Sequence, residues 1–122
     1  KDLNGADFEN CKFYHCTFDN ASLVNCNLQN ALFSNCSLYN ATAEEAELQN
    51  ARFFSCNLAK AFFTHSNFKE AVLKSCQTTS SSFMNCCIEN IALEETDLPN
   101  DEMFNSELDW IKNDIPDFEP NM

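Results

Sequence analysis

The 122-residue sequence is poor in the residues that most catalytic and phosphate-binding sites require. It contains one glycine, so a glycine-rich loop cannot cradle a phosphate group. Its two histidines, His15 and His65, are both predicted to point outward. The sequence contains no evident transmembrane stretch, signal peptide or basic targeting run, and only seven Lys and Arg stand against 19 Asp and Glu. These scarcities predict a non-catalytic protein that binds neither nucleic acid nor an anionic membrane.

A period of five residues runs through almost the whole chain. From Leu3 to Leu108 every fifth residue is a large position, and 18 of these 22 positions hold Leu or Phe. From Ala6 to Ser106 every fifth residue is a small position, and 18 of these 21 positions hold Ala, Cys or Ser. The residue two after each large position, here called the corner position, is often Asn. A period of five fits neither a helix at 3.6 nor a strand at 2.0, so the chain is an internal repeat.

This pattern resembles the pentapeptide-repeat family, in which a small residue, Asp or Asn, Leu or Phe and two polar residues recur. The resemblance covers about 108 of the 122 residues, although Cys often replaces Ala and the Asp or Asn before the large residue is present at only six places. It implies an all-β fold, the right-handed quadrilateral β-helix. Such a pentapeptide-repeat solenoid would have about five coils, each built from four pentapeptides.

The chain itself supports a coil of 20 residues, because steps of 20 align residues of one kind. The aligned sets are a cysteine column (Cys16, Cys36, Cys56 and Cys76) and a phenylalanine column (Phe13, Phe33 and Phe53). We therefore expect residues 1–108 to form the β-helix and residues 109–122, which leave the repeat, to form a short C-terminal cap or linker. The all-polar run from Gln77 to Ser82 is expected to be a weak coil, bulge or hinge.

Seven of the eight cysteines occupy small positions, where they replace Ala or Ser, so they are interpreted as packing residues. We expect free thiols and a reducing compartment, the cytoplasm, or the host cytosol if the parent protein is a secreted effector. Three Asn-x-Ser/Thr sequons, at Asn20, Asn35 and Asn40, argue the other way. Four thiolates in a line are not tetrahedral, so neither a metal site nor a cofactor is predicted. The chain begins inside a repeat and is interpreted as a fragment of a larger protein.

The outward residues fall on four faces, and the third face is the candidate site. It combines aromatic and aliphatic side chains with three of the seven basic residues, a composition typical of binding hot spots. Ordinary outward apolar residues on β-strands are the alternative interpretation. The predicted partner-binding residues are Lys12, Tyr14, Leu32, Arg52, Phe54, Val72 and Lys74.

The predicted function is a protein–protein interaction scaffold or recognition module whose partner is another protein. The exposed terminal coils are further candidate contact surfaces, including for a homodimer. The family resemblance implies two settings: recognition modules of secreted bacterial effectors, and the luminal domain of synaptic-vesicle glycoproteins. The thiols favour the first setting and the sequons favour the second.

The alternative function is that of a DNA mimic that binds a topoisomerase such as gyrase, as the net charge of −12 suggests. Residues 1–108 carry 15 acidic and 6 basic side chains, about one net charge per 3 Å of a rod of stacked coils. Duplex DNA carries one charge per roughly 1.7 Å. The lower charge density makes mimicry the weaker hypothesis.

Overall fold

The computed structural model describes residues 1–99, which fold as a parallel β-solenoid. Five short strands form one parallel sheet in the order of the chain. They are β1 (Lys12–Tyr14), β2 (Leu32–Ser34), β3 (Arg52–Phe54), β4 (Val72–Lys74) and β5 (Ala92–Glu94). Paired residues lie 20 positions apart, as Phe13 pairs with Phe33. The predicted coil of 20 residues and the pentapeptide-repeat β-helix are thus confirmed, and residues 1–99 contain no helix.

The other three sides of the coil pair more sparsely than the sheet does. On each of them a single residue per pentapeptide bridges to the residue 20 positions later. The first bridges of these ladders are Asp2 with Ser22, Asp7 with Asn27 and Thr17 with Ser37. Four pairing ladders, one per pentapeptide of the coil, make the solenoid four-sided.

Every corner position from residue 5 to residue 95 has a positive φ. Gly5 lies at +76° and the other 18 corners lie between 51° and 66°, as at Asn30 (61°). Most corners are closed by a backbone hydrogen bond. The N–H of the small residue after the corner donates to the C=O of the large residue before it, as Ala31 N does to Leu28 O at 3.1 Å. A four-residue turn with positive φ only at its third residue is a type II turn. Asn tolerates this left-handed conformation better than other non-glycine residues do, which explains the recurrent Asn.

The interior is built from the large and small positions. The phenylalanine column stacks as predicted, with the rings of Phe33 and Phe53 separated by 4.7 Å and inclined by 2°. Phe53 is fully buried, and burial of such a side chain contributes about 1.5–3 kcal/mol. The small positions are also buried, as at Ala31 and Ala51. Their short side chains leave room for the chain to turn at each corner.

The structure contains no bulge between Gln77 and Ser82, so that part of the expectation is wrong, while the weak coil or hinge stays a prediction. Thr78 and Ser81 are buried, and the turn keeps its bond from Ser81 N to Thr78 O at 3.1 Å. The hydroxyl groups find partners inside the coil: Ser81 Oγ donates to Thr78 O at 2.7 Å, and Thr78 Oγ1 donates to the carbonyl of Asp97. A polar residue therefore fits an inward position when a backbone carbonyl accepts its hydrogen bond.

The predicted boundary at residue 108 and the predicted cap at 109–122 lie outside the described residues. Within the part that is described, no helix is long and apolar enough to cross a membrane.

Candidate functional site

The predicted third face is the five-stranded sheet. Its outward side chains form two rows that run from coil to coil. One row is Lys12, Leu32, Arg52, Val72 and Ala92, and the other is Tyr14, Ser34, Phe54, Lys74 and Glu94. All seven predicted site residues therefore belong to one continuous surface, and it is the surface with the most extensive backbone pairing.

The members of this surface differ in exposure. Tyr14 is 55% exposed, Arg52 is exposed, and Phe54 and Val72 are partly exposed. Leu32 was predicted as an outward anchor, but it is only 9% exposed. Leu32 pairs in register with Lys12 on one neighbouring strand and Arg52 on the other. Because both have long side chains, Leu32 has little contact with solvent. The accessible part of the surface thus includes aromatic and basic side chains and the partly exposed Val72, but not Leu32.

Two positive charges of the sheet are not neutralised. Lys74 Nζ lies 3.8 Å from Glu94 Oε2, whereas Lys12 and Arg52 form no salt bridge with any residue in 1–99. A shallow pocket of about 270 Å³ lies at the edge of the sheet beside Phe54 and Lys74. The surface therefore offers an aromatic side chain, a depression and uncompensated positive charge side by side.

The corners that follow the strands of this sheet differ from most others. In the described coils, the bond across the corner is missing after β1, β2, β3 and β4. At the corner after β2, for instance, no bond joins Cys36 N to Phe33 O, although the corner residue Asn35 keeps its positive φ of 55°. Such open corners leave one N–H and one C=O without a partner inside the turn.

The cysteine column supplies those missing partners. Cys56 Sγ donates to Phe33 O at 3.2 Å, and the backbone of Cys36 hydrogen-bonds to the same sulfur. Cys36 and Cys76 repeat the carbonyl contact, each at 3.3 Å. Each thiol thus joins the open corner of the preceding coil, a contact that we call a thiol staple.

A hydroxyl group makes the same contact elsewhere in the solenoid. Ser66 Oγ donates to Ala43 O at 2.7 Å and accepts from Ala46 N at 2.9 Å, at another corner that lacks its own bond. The interpretation of the cysteines as packing residues is therefore incomplete, because those of the column also satisfy buried backbone groups. The uninterrupted column was the available sequence signal, since alanine would serve there if packing alone mattered.

All eight cysteines are free thiols in the structure. Burial raises the pKa of Cys26 and Cys36 above the usual value of 9.0. A hydrogen bond with the thiol of Cys76, together with burial, raises the pKa of Cys56. The interior thiols of these three residues are therefore protonated at neutral pH.

A groove of about 460 Å³ runs along the open corners, between the sheet and the neighbouring side of the solenoid that carries Thr17, Ser37 and Asn57. Cys16, Cys36 and Cys56 line it, and polar residues such as His15 and Gln77 flank them. The thiol column is therefore close to solvent along one edge. Within residues 1–99 no group of three or more His, Cys, Asp or Glu side chains could hold a metal ion.

Comparison with known proteins agrees with this architecture. The family model described as a pentapeptide repeat region matches residues 27–103, and a second, described as pentapeptide repeats in eight copies, matches residues 2–40. A search of curated protein sequences found no match.

Several solved structures are similar in fold. A pentapeptide repeat protein of the Arabidopsis thaliana thylakoid lumen is 21% identical, with a TM-score of 0.72 over 92% of this chain and 74% of its own. HetL, a pentapeptide repeat protein involved in heterocyst differentiation regulation in the cyanobacterium Nostoc, is 16% identical, with a TM-score of 0.57 over 79% of this chain and 48% of its own.

QnrB1, a plasmid-mediated fluoroquinolone resistance protein, is 13% identical over 89% of both chains, but its TM-score of 0.28 supports no structural argument. At these identities the likeness of the other two structures concerns the fold alone. The matched family models, the period of five and the four-sided coil together establish that the chain belongs to the pentapeptide-repeat family.

Proposed function

We propose that the protein is a non-catalytic interaction scaffold that binds a protein partner through the sheet β1–β5. The observation that carries the proposal is that the exposed Tyr14 and the partly exposed Phe54 lie beside unneutralised basic side chains on the most regular surface of the solenoid. Tyr14 is 55% exposed, and Arg52 and Lys12 lack a salt bridge in the described chain. Aromatic residues and Arg are the side chains that most often dominate binding energy at interfaces.

The expected partner is acidic as well as aromatic or aliphatic. The chain has a net charge of −12, so an acidic partner would be repelled by most of its surface and attracted by the basic rows of the sheet. This arrangement favours one orientation of the partner. The pocket beside Phe54 and Lys74 is the expected position for an anchoring side chain.

A capture experiment with two matched variants tests this proposal. The surface variant carries Tyr14→Ser, Arg52→Glu and Phe54→Ser. The control carries Phe62→Ser and Met84→Ser, which remove the two exposed apolar side chains (44% and 39% exposed) of a different face. Leu32 stays unchanged because it is buried, so its substitution would test stability rather than binding. Far-UV circular dichroism first establishes that both variants are folded.

The proposal predicts that the control captures the same acidic protein as the parent chain and that the surface variant does not. Capture that weakens with increasing salt would show that the basic rows contribute. Equal capture by the surface variant would place the interaction elsewhere, with the terminal coils, and a homodimer formed through them, as the next candidates.

The DNA mimic that binds gyrase is the alternative function, and the described coils give it less support. Residues 1–99 hold 12 acidic and 6 basic side chains, a net charge of −6. Stacked at about 4.8 Å per coil, they carry roughly one net charge per 4 Å, against one per 1.7 Å in duplex DNA. Inhibition of purified gyrase that is lost on neutralising Glu47 and Glu89 would favour the mimic over the scaffold.

We also propose a reducing compartment, because the thiol staples require protonated, unoxidised cysteines. Mass spectrometry of the protein isolated from its source under alkylating conditions tests this, with eight alkylated cysteines as the expected result.

A further inference from the structure

The cysteine column has a spacing that suits a particular kind of ligand. Stacked coils lie about 4.8 Å apart, and the rings of Phe33 and Phe53 repeat at 4.7 Å. Each thiol of the column interacts with the next: hydrogen bonds join Cys16 with Cys36 and Cys56 with Cys76, and Cys36 interacts electrostatically with Cys56. Two metal–sulfur bonds of about 2.3 Å placed in line span about 4.6 Å. Consecutive sulfur atoms of the column are thus spaced for a cation held between two of them.

The surroundings of the sulfur atoms also suit a bound cation. The groove of about 460 Å³ borders Cys16, Cys36 and Cys56, of which Cys16 is partly exposed. Backbone groups of the preceding coil hydrogen-bond to the sulfur of Cys36 and of Cys56, and these bonds hold both sulfur atoms in place. Hydrogen bonds to sulfur likewise tune metal–thiolate centres in other proteins. The backbone bond to each sulfur persists when the thiol loses its proton, whereas the bond from the thiol to the carbonyl is lost on binding.

We propose that neighbouring thiols of the column bind a soft monovalent cation such as Cu(I), with two sulfur atoms to each cation. Four thiols in line provide two such pairs, so up to about two cations bind per chain. Each binding event displaces two thiol protons to solvent and leaves the oxidation states of metal and sulfur unchanged. Soft thiolate ligands select Cu(I) over hard cations, and a linear pair does not need the three-group cluster that residues 1–99 lack.

The test is an anaerobic competition titration of the reduced 122-residue chain with Cu(I) and the chromophoric chelator bicinchoninate. The column variant carries Cys36→Ser and Cys56→Ser, which leaves Cys16 and Cys76 three coil steps, about 14 Å, apart. The control carries Cys26→Ser and Cys86→Ser, two equally buried thiols of another column. Serine retains the hydrogen bond in either column, as Ser66 does, and circular dichroism verifies folding.

The parent chain and the control are expected to retain about two Cu(I) against the competitor, and the column variant is expected to lose at least about tenfold in affinity. All three proteins keep the partly exposed Cys11 and Cys87, so adventitious binding at those thiols cancels in the comparison. Equal binding by the two variants, or complete loss of Cu(I) from the parent chain to bicinchoninate, would overturn the proposal.

Discussion

The thiol staple can be tested by replacing Cys56 with alanine. Cys56 is 2% exposed, and its sulfur donates to Phe33 O at 3.2 Å and accepts from the backbone of Cys36. Alanine preserves the packing of a small residue but removes both contacts. The open corner after β2 has no bond of its own, so Cys36 N would lose its protein partner, whereas Phe33 O also belongs to the ladder that joins β2 to β3.

The size of the effect follows from the cost of unsatisfied backbone groups. A buried donor or acceptor that loses its partner costs about 1–3 kcal/mol. One such donor, Cys36 N, together with the lost bond from the thiol to Phe33 O, should lower the free energy of unfolding by about 2–3 kcal/mol. Cys56→Ser should cost about 1 kcal/mol or less, because a hydroxyl already makes this contact at Ser66, with distances of 2.7 and 2.9 Å.

Cys26→Ala is the matched control. Cys26 is 0% exposed and donates to Leu3 O at 3.1 Å, but its corner is closed by the bond from Ala6 N to Leu3 O, also at 3.1 Å. Both backbone groups keep a partner when the thiol is removed, so this substitution should cost about 1 kcal/mol. Both variants replace a buried cysteine by alanine. They differ in whether the corner that the thiol contacts has its own backbone hydrogen bond.

Reversible urea denaturation followed by circular dichroism measures the difference, in reducing buffer at pH 7. The expected order of midpoints is the parent chain, then Cys56→Ser and Cys26→Ala close together, then Cys56→Ala clearly lower. Equal destabilisation by Cys56→Ala and Cys26→Ala would refute the staple, because packing alone would then explain the column. So would a Cys56→Ser variant as unstable as Cys56→Ala.

Three further predictions concern the thiols and the corners. The free energy of unfolding should fall as the pH rises above 9.0, because the raised pKa of Cys26 and Cys36 keeps protons on the folded chain that the unfolded chain releases. The slope should reach about 1.4 kcal/mol per pH unit for each of these two thiols, and urea midpoints measured between pH 8 and pH 11 will show it. A thiol reagent at pH 7.5 should modify the partly exposed Cys11, Cys16 and Cys87 before unfolding and the five buried cysteines only after it; rapid modification of all eight would contradict the burial of the columns. Glu70→Asn should stabilise the fold by about 0.5–1 kcal/mol, because Glu70 holds a φ of 60° that Asn adopts at lower cost; an unchanged or lower melting temperature would contradict this.

Most of the fold could be predicted because each coil repeats the same residue pattern in the same register. A slip of one pentapeptide would break the phenylalanine and cysteine columns, so the alignment at 20 residues already specified which residues stack. The same register also predicted which side chains form the two outward rows of the sheet. The membership of the candidate surface was therefore predictable, although its role in binding stays a prediction.

Exposure within that surface was not predictable from the register. Leu32 points outward in the repeat yet is buried, because its exposure depends on the side chains of the coils on either side. The polar run from Gln77 to Ser82 keeps the coil for a similar reason, since hydroxyl groups such as that of Ser81 reach backbone carbonyls. Both depend on neighbours that no single pentapeptide contains.

By itself, the sequence determined the period, the coil length and the inward columns, because a repeat of five residues with alternating large and small side chains buries its apolar groups in one way. Only the tertiary structure decided which corners close and which stay open, because that depends on hydrogen bonds between coils. The open corners explain why cysteine, rather than alanine, occupies the column at Cys36, Cys56 and Cys76. Their groove and their row of sulfur atoms become visible only when one coil is stacked on the next.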